Sequence, residues 1–207
     1  MKTIELLKNF RLMALLFSAL FIASCSSDDD APEEEDEVEV ITNLKLIFTN
    51  NADASDVVEA SAVDPDGEGV QELQVLGGGI SLAADTQYTL TFEILNALDP
   101  DDVEDIGDEV AEEDDEHQFF FRFTDGAFDS PAGDGNIDTS SDSINYNDND
   151  DNSNPVGLST NWTTAATPTT DGSFRVLLQH QPDIKSATTG ATDGDTDIDV
   201  TFTLNIQ

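Results

Sequence analysis

From Asp197 to Ile206 the chain alternates without a break, with Ile198, Val200, Phe202, Leu204 and Ile206 apolar and Asp197, Asp199, Thr201, Thr203 and Asn205 polar between them. A period of two places these sets on opposite faces of an extended chain, and no helix gathers either set onto one side. This end of the protein is therefore a strand with one face in a core, and it needs other strands to complete that core. The segment after residue 38 has the same pattern, with Val38, Val40, Leu44, Leu46 and Phe48 on one face and Glu39, Asn43, Lys45 and Thr49 on the other.

Between these ends, Val57–Val63, Val70–Leu76, Gln87–Leu95, His117–Phe123, Ser143–Tyr146, Leu158–Thr164 and Phe174–His180 read as further short strands. Asp64-Pro65-Asp66-Gly67, Gly77-Gly78-Gly79, Asp171-Gly172 and Asp193-Gly194 supply turn chemistry between them. Many short strands divided by Gly- and Asp-rich turns predict an all-β fold, an antiparallel β-sandwich of the Ig-like type. One stretch differs: in Pro100–Glu116, Val103, Ile106 and Val110 fall at helical spacing, which predicts a short acidic helix that frays at its acidic C-terminal end.

The first residues address the chain. Lys2, Lys8 and Arg11 precede Leu12–Ala23, an apolar run too short for a bilayer that needs about 20 residues. Ala23 and Ser24 precede Cys25, the sole cysteine, and acid begins three residues later at Asp28. The pattern predicts a lipoprotein signal peptide over residues 1–24 with Cys25 as the acylated residue. A soluble signal peptide with an incidental cysteine is the alternative, but a lone cysteine has no intramolecular disulfide partner to explain it. Ser26–Glu37, SSDDDAPEEEDE, reads as a self-repelling flexible tether reaching at most about 40 Å at about 3.3 Å per residue. Residues 25–37 are then lipidated cysteine and tether, and 38–207 a single domain.

Removing residues 1–24 leaves 4 Lys+Arg against 44 Asp+Glu, a net charge of −40. Such a field repels nucleic acid and anionic headgroups and concentrates cations. Nucleic-acid binding is excluded on this ground, and solubility at an exposed surface is the plainest use of the acids.

The two histidines are the notable chemistry. Period two groups His117 with Phe119, Phe121 and Phe123, and His180 with Phe174, Val176 and Leu178. One opens its strand and the other closes its strand, so antiparallel neighbours bring both to the same end of the sandwich. There they suit Zn²⁺ or Cu²⁺, with Glu116 and Asp183 as flanking acids. Two core-edge histidines bonded to backbone carbonyls are the plainer alternative. Calcium has its own candidates, Asp134, Asn136 and Asp138, the Asp148-Asn149-Asp150 turn, and Asp193, Asp195 and Asp197, all spaced as alternating oxygen donors without the glycine and glutamate of an EF-hand.

No G-x-S-x-G, H-E-x-x-H or phosphate-cradling glycine loop is present, and 44 acids make some carboxylate pair inevitable and so uninformative. The expectation is a non-enzymatic module. Asn161-Trp162-Thr163 matches the N-glycosylation pattern, Asp142-Ser143-Ile144 resembles a short O-glycosylation motif of Bacteroidota, and Trp162 reads as a core or edge aromatic.

Glu116-His117-Gln118-Phe119-Phe120, Asn154-Pro155-Val156-Gly157-Leu158, Leu178–Asp183 and the closing Asp197–Gln207 strand together resemble a family of small surface lipoproteins of Bacteroidota, in particular flavobacteria. Ser27-Asp28-Asp29-Asp30 after the cysteine is similar to the signal that sends such lipoproteins to the outer face of the outer membrane. The family is sometimes labelled as having a type 1 periplasmic-binding fold, whereas two α/β lobes need repeated βαβ units and this chain offers one short helix among strands. The resemblance implies an outer-membrane anchor and a place beside a TonB-dependent receptor, capturing a metal ion or nutrient. A structural or adhesive surface module with calcium-stiffened acidic loops is the second expectation.

Overall fold

The computed structural model describes residues 39–65, 67, 73–137 and 143–207, so the signal peptide, Cys25, the tether and Asp138 lie outside the described residues. The described chain forms strands β1 (Asn43–Asn50), β2 (Val57–Val63), β3 (Gln74–Leu76), β4 (Ile80–Leu82), β5 (Gln87–Asn96) and β6 (Glu104–Asp105), then helix α1 (Ile106–Glu112). Strands β7 (His117–Phe123), β8 (Phe128–Ser130), β9 (Asn145–Tyr146), β10 (Ser159–Thr164), β11 (Thr169–His180) and β12 (Asp195–Ile206) follow.

These strands make a two-layered β-sandwich. The larger sheet runs β3-β2-β1-β5-β10-β8, with β6 on β5 and β9 on β10, and the smaller runs β4-β12-β11-β7. Every pairing is antiparallel except β4 on β12. That exception follows from the glycine turn: after β3 the chain crosses from one sheet to the other through Gly77–Gly79 and meets the end of β12 in the parallel sense. Gly79 has φ +79°, and a Cβ there would collide with the Thr203 backbone oxygen, so only glycine makes the crossing this tightly.

Alternation sends Leu44, Leu46 and Phe48 inward from β1, Phe119, Phe121 and Phe123 from β7, and Phe174, Val176 and Leu178 from β11. Trp162 stands at their centre, 1% exposed, with Phe174 at 5.0 Å and Phe121 at 5.3 Å in edge-on contact and its Nε1 donating to Thr160 Oγ1 at 2.8 Å. Edge-on pairs of this kind add about 0.5–1.5 kcal/mol each beyond burial, which ties the two sheets together at this ring.

Several elements differ from the sequence expectation. The helix covers Ile106–Glu112 and not Pro100–Glu116, because Asp105 caps it by accepting from Asp108 N at 3.3 Å, while Glu104 and Asp105 are held as a strand on β5. Val103 is consequently outside the helix and 49% exposed. Asp171-Gly172 does not end a strand: it lies inside β11 where the register against β12 shifts, with Asp171 at φ 52°. β4, β6 and β8, of two or three residues each, are too short for a periodic pattern to reveal.

Candidate metal centre

β7 and β11 are antiparallel neighbours in a register that sets Leu178 opposite Phe119 and His180 directly opposite His117. The two imidazoles stack face to face, with centroids 4.5 Å apart and planes 3° from parallel. They terminate the inward aromatic row of the smaller sheet, with His117 fully buried and His180 7% exposed.

The end of α1 fixes the orientation of His117. After Glu112 the chain turns through residues 113–116, and Glu113 O accepts from His117 N at 3.2 Å and from His117 Nδ1 at 3.2 Å. A carbonyl oxygen can only accept, so Nδ1 carries the ring proton and Nε2 keeps its lone pair. Burial, reinforced by His180 alongside, pulls the His117 pKa down to about 4, so this ring is neutral at physiological pH. Its Nε2 points at Asp197 Oδ2, 3.8 Å away, and among the described residues neither atom has a hydrogen-bond partner.

Asp197 reaches this position through a bulge. Strict alternation assigns it to the polar face of β12, opposite Ile198. The register, however, pairs Ile198 with Leu178 and Thr196 with Gln179, so Asp197 is an extra residue on β12. A bulge re-aims the side chain it carries, and Asp197 is 2% exposed against His117. Burial raises its pKa to about 7, with His180 opposing and Asp195 assisting. Glu39, just ahead of β1, joins the same cluster: burial and then the charge of Glu109, with which it shares a hydrogen bond, push it up to about 8.

The residues anticipated around the histidines are partly brought together. Glu116 Oε2 accepts from His180 Nε2 at 3.2 Å. Asp183 does not take part: the chain leaves β11 in a tight turn with Ile184 N and Lys185 N donating to Gln181 O, and Asp183, at φ 59°, is left exposed. Glu113 takes the place expected of Asp183, its Oε2 3.9 Å from His117 Nδ1, and the spacing of four residues from Glu113 to His117 is the signal that marks it. Among the described residues, Glu113, His117 and His180 are the group of three whose ligand atoms lie within 4.8 Å of one another.

The described calcium candidates have other partners. Asp134 pairs with Arg122 at 3.4 Å, and Asn136 is buried with Oδ1 accepting from Phe121 N and Nδ2 donating to Tyr146 OH, both at 2.7 Å. Asp193 accepts from Gly190 N at 2.8 Å, Asp195 is exposed, and Asp197 is turned to the histidines. In the third turn Asp148 accepts from Gly157 N and Ser159 N, and Asp150 from Asn154 N and Nδ2. The side-chain oxygens of Asn136, Asp148, Asp150 and Asp193 thus accept from backbone amides. Asp150 also lies 3.5 Å from Lys185 Nζ, both side chains fully buried, with Asp114 O as the ammonium's second acceptor.

Among the described residues the arrangement offers two imidazoles and carboxylates and no sulfur. Nitrogen and oxygen donors of this type suit Zn²⁺ or Cu²⁺. Tetrahedral zinc at about 2.0–2.1 Å from each ligand sets neighbouring donors about 3.3 Å apart. His117 Nε2 and Asp197 Oδ2, 3.8 Å apart, stand close to that spacing. Comparison with family models, with curated proteins and with solved structures returned no match.

Proposed function

We propose that this protein is a lipid-anchored, non-enzymatic binding module of the outer membrane whose histidine pair takes up Zn²⁺ or Cu²⁺, holding it beside a TonB-dependent receptor. The observation that carries this reading is the bare His117 Nε2 facing the bare Asp197 Oδ2 inside the fold. Leaving two buried polar atoms unpaired costs about 1–3 kcal/mol each, and a cation between them removes both penalties at once. His117 and His180 supply the imidazoles and Asp197 the carboxylate. Glu113 O, by taking the Nδ1 proton, keeps the Nε2 lone pair aimed at the ion, as an outer-shell carbonyl does at metal sites. The acidic surface raises the local cation concentration and so favours capture.

Calorimetric titration of the metal-free mature chain tests this. Micromolar binding of Zn²⁺ or Cu²⁺ that is lost in His180→Ala and weakened at least tenfold in Asp197→Asn is the expected result. His180 is the better first target because His117 is fully enclosed and its truncation endangers the fold. Loss in Glu113→Gln with Asp197→Asn unaffected would move the ion to the Nδ1 side of the ring, and no heat with either metal overturns the reading.

A further inference from the structure

The outer face of the larger sheet has a second built feature, remote from the histidines in chemistry as well as in fold. β10 pairs with β5 so that Asn161 lies opposite Thr89 and Thr163 opposite Gln87. Alternation turns Tyr88, Leu90 and Trp162 into the core and leaves these four side chains outside. Gln87, Asn161 and Thr163, with Asn51, Ser130 and Asn145, border a hollow of about 370 Å³ over the edge of Trp162, in the size range of ligand sites. A second hollow of about 370 Å³ shares Asn51 and Gln87 with it and adds one carboxylate, Asp85.

The first hollow has no ionisable residue in its lining, in a chain with 45 acids. A cation would find no carboxylate there, and an anion would be repelled by the field of the rest of the molecule. What remains is amide and hydroxyl. Both are donor and acceptor together, which is the pattern an alcohol presents in return.

The groups are held in position and are not all satisfied. Asn161 Nδ2 donates to Asn147 Oδ1 at 2.5 Å, Asn147 Nδ2 to Ser159 Oγ at 3.0 Å, and Asn145 Nδ2 to Ser130 Oγ at 2.8 Å. Thr89 Oγ1 lies 2.8 Å from Asn51 Oδ1 and 3.1 Å from Asn161 Oδ1. Its single hydrogen serves one of them, so the other amide oxygen keeps a lone pair for an outside donor. The side chains of Gln87 and Thr163 make no hydrogen bond to a described residue. Preformed polar groups on paired strands lose little entropy on binding.

We propose that this groove binds an uncharged polysaccharide, its sugar hydroxyls bridging the amides of Asn51, Gln87 and Asn161 across β5 and β10. The exposed large apolar residues among those described are Val57, Leu76, Leu98, Val103 and Ile184, with no aromatic ring to stack on a sugar. Recognition therefore rests on hydrogen bonds, is weak for a single sugar, and accumulates along a polymer that occupies both hollows.

Affinity electrophoresis of the mature chain through native gels containing a neutral β-glucan, xylan, mannan or dextran tests the proposal, with alginate as the anionic control and chelator present throughout. The expected result is retardation by at least one neutral polymer, lost in the Gln87→Ala/Thr163→Ala double variant and retained in His180→Ala. The double variant removes side chains that make no internal bond, so its fold is kept and circular dichroism verifies that. Absence of retardation by every neutral polymer, retardation by alginate alone, or retardation unchanged in the double variant overturns it.

Discussion

The inner end of the smaller sheet and the outer face of the larger sheet are opposites. At the first, His117, His180, Asp197 and Glu39 crowd together in partial or full burial, and two polar atoms face each other unpaired. At the second, the side chains are neutral amides and hydroxyls that engage one another at the surface. Acids cover this chain, so their presence marks nothing. Burial and the loss of a hydrogen-bond partner are what single out Asp197 from the rest, and a hollow lined without any acid is what singles out the amide face.

The comparison can be broken at several points. The largest effect belongs to Lys185, whose fully buried ammonium is paired with buried Asp150 behind the histidine end. Lys185→Ala leaves that carboxylate enclosed without its counter-ion, and urea unfolding should show a loss of about 3–5 kcal/mol. A loss under 1 kcal/mol would mean that water reaches Asp150 and that this end is not the dry environment described.

Next comes pH, which should move the histidine end and leave the amide face untouched. Asp197 has its pKa raised to about 7, so the stability it contributes is complete below its unfolded pKa and lost as pH rises through 7. Glu39, raised to about 8, acts in the same direction. His117, lowered to about 4, acts in reverse: it resists protonation when folded, so stability is lost as pH falls from about 6.5 toward 4. Measured with chelator present, the domain should therefore be more stable at pH 6 than at pH 8, with about 1 kcal/mol from Asp197 alone. Asp197→Asn should remove that part of the slope and raise stability at pH 8. A slope identical to the parent's would separate Asp197 from the effect.

The smallest effect sharpens the contrast. Gln87→Ala and Thr163→Ala should each change stability by less than about 0.5 kcal/mol by thermal or urea unfolding, because neither side chain makes an internal bond. A loss above 1 kcal/mol would show that these side chains support the sheet and are not available to a ligand.

Much of the fold was legible in the residues. The alternation of β12, the Phe row of β7 and the apolar set of β11 identify three of the four strands of the smaller sheet, and the opening and closing positions of His117 and His180 anticipate their meeting, which the register then makes. Glu116 was legible as a flank. Asp183 was misplaced because a left-handed turn after β11 carries it outward, and a flank in sequence is not a flank in space once the chain reverses. Glu113 was hidden until the helix ended at Glu112 and the turn brought the preceding acid back over the ring. The spacing that suggests calcium is also the spacing turn backbones use, since their amides need acceptors and Asn136, Asp148, Asp150 and Asp193 provide them.

From its residues alone the chain determined a strand-built domain with two apolar faces to bury, an acidic exterior, and two histidines destined for one rim, since period and charge are local properties written position by position. Only the folded packing decided that Asp197 turns inward, that His117 keeps a bare nitrogen facing it, and that Asn51, Gln87 and Asn161 meet on one neutral face. Those outcomes depend on which strand lies beside which and on a single added residue in β12, and a one-residue change of register exchanges the inside of a strand for its outside.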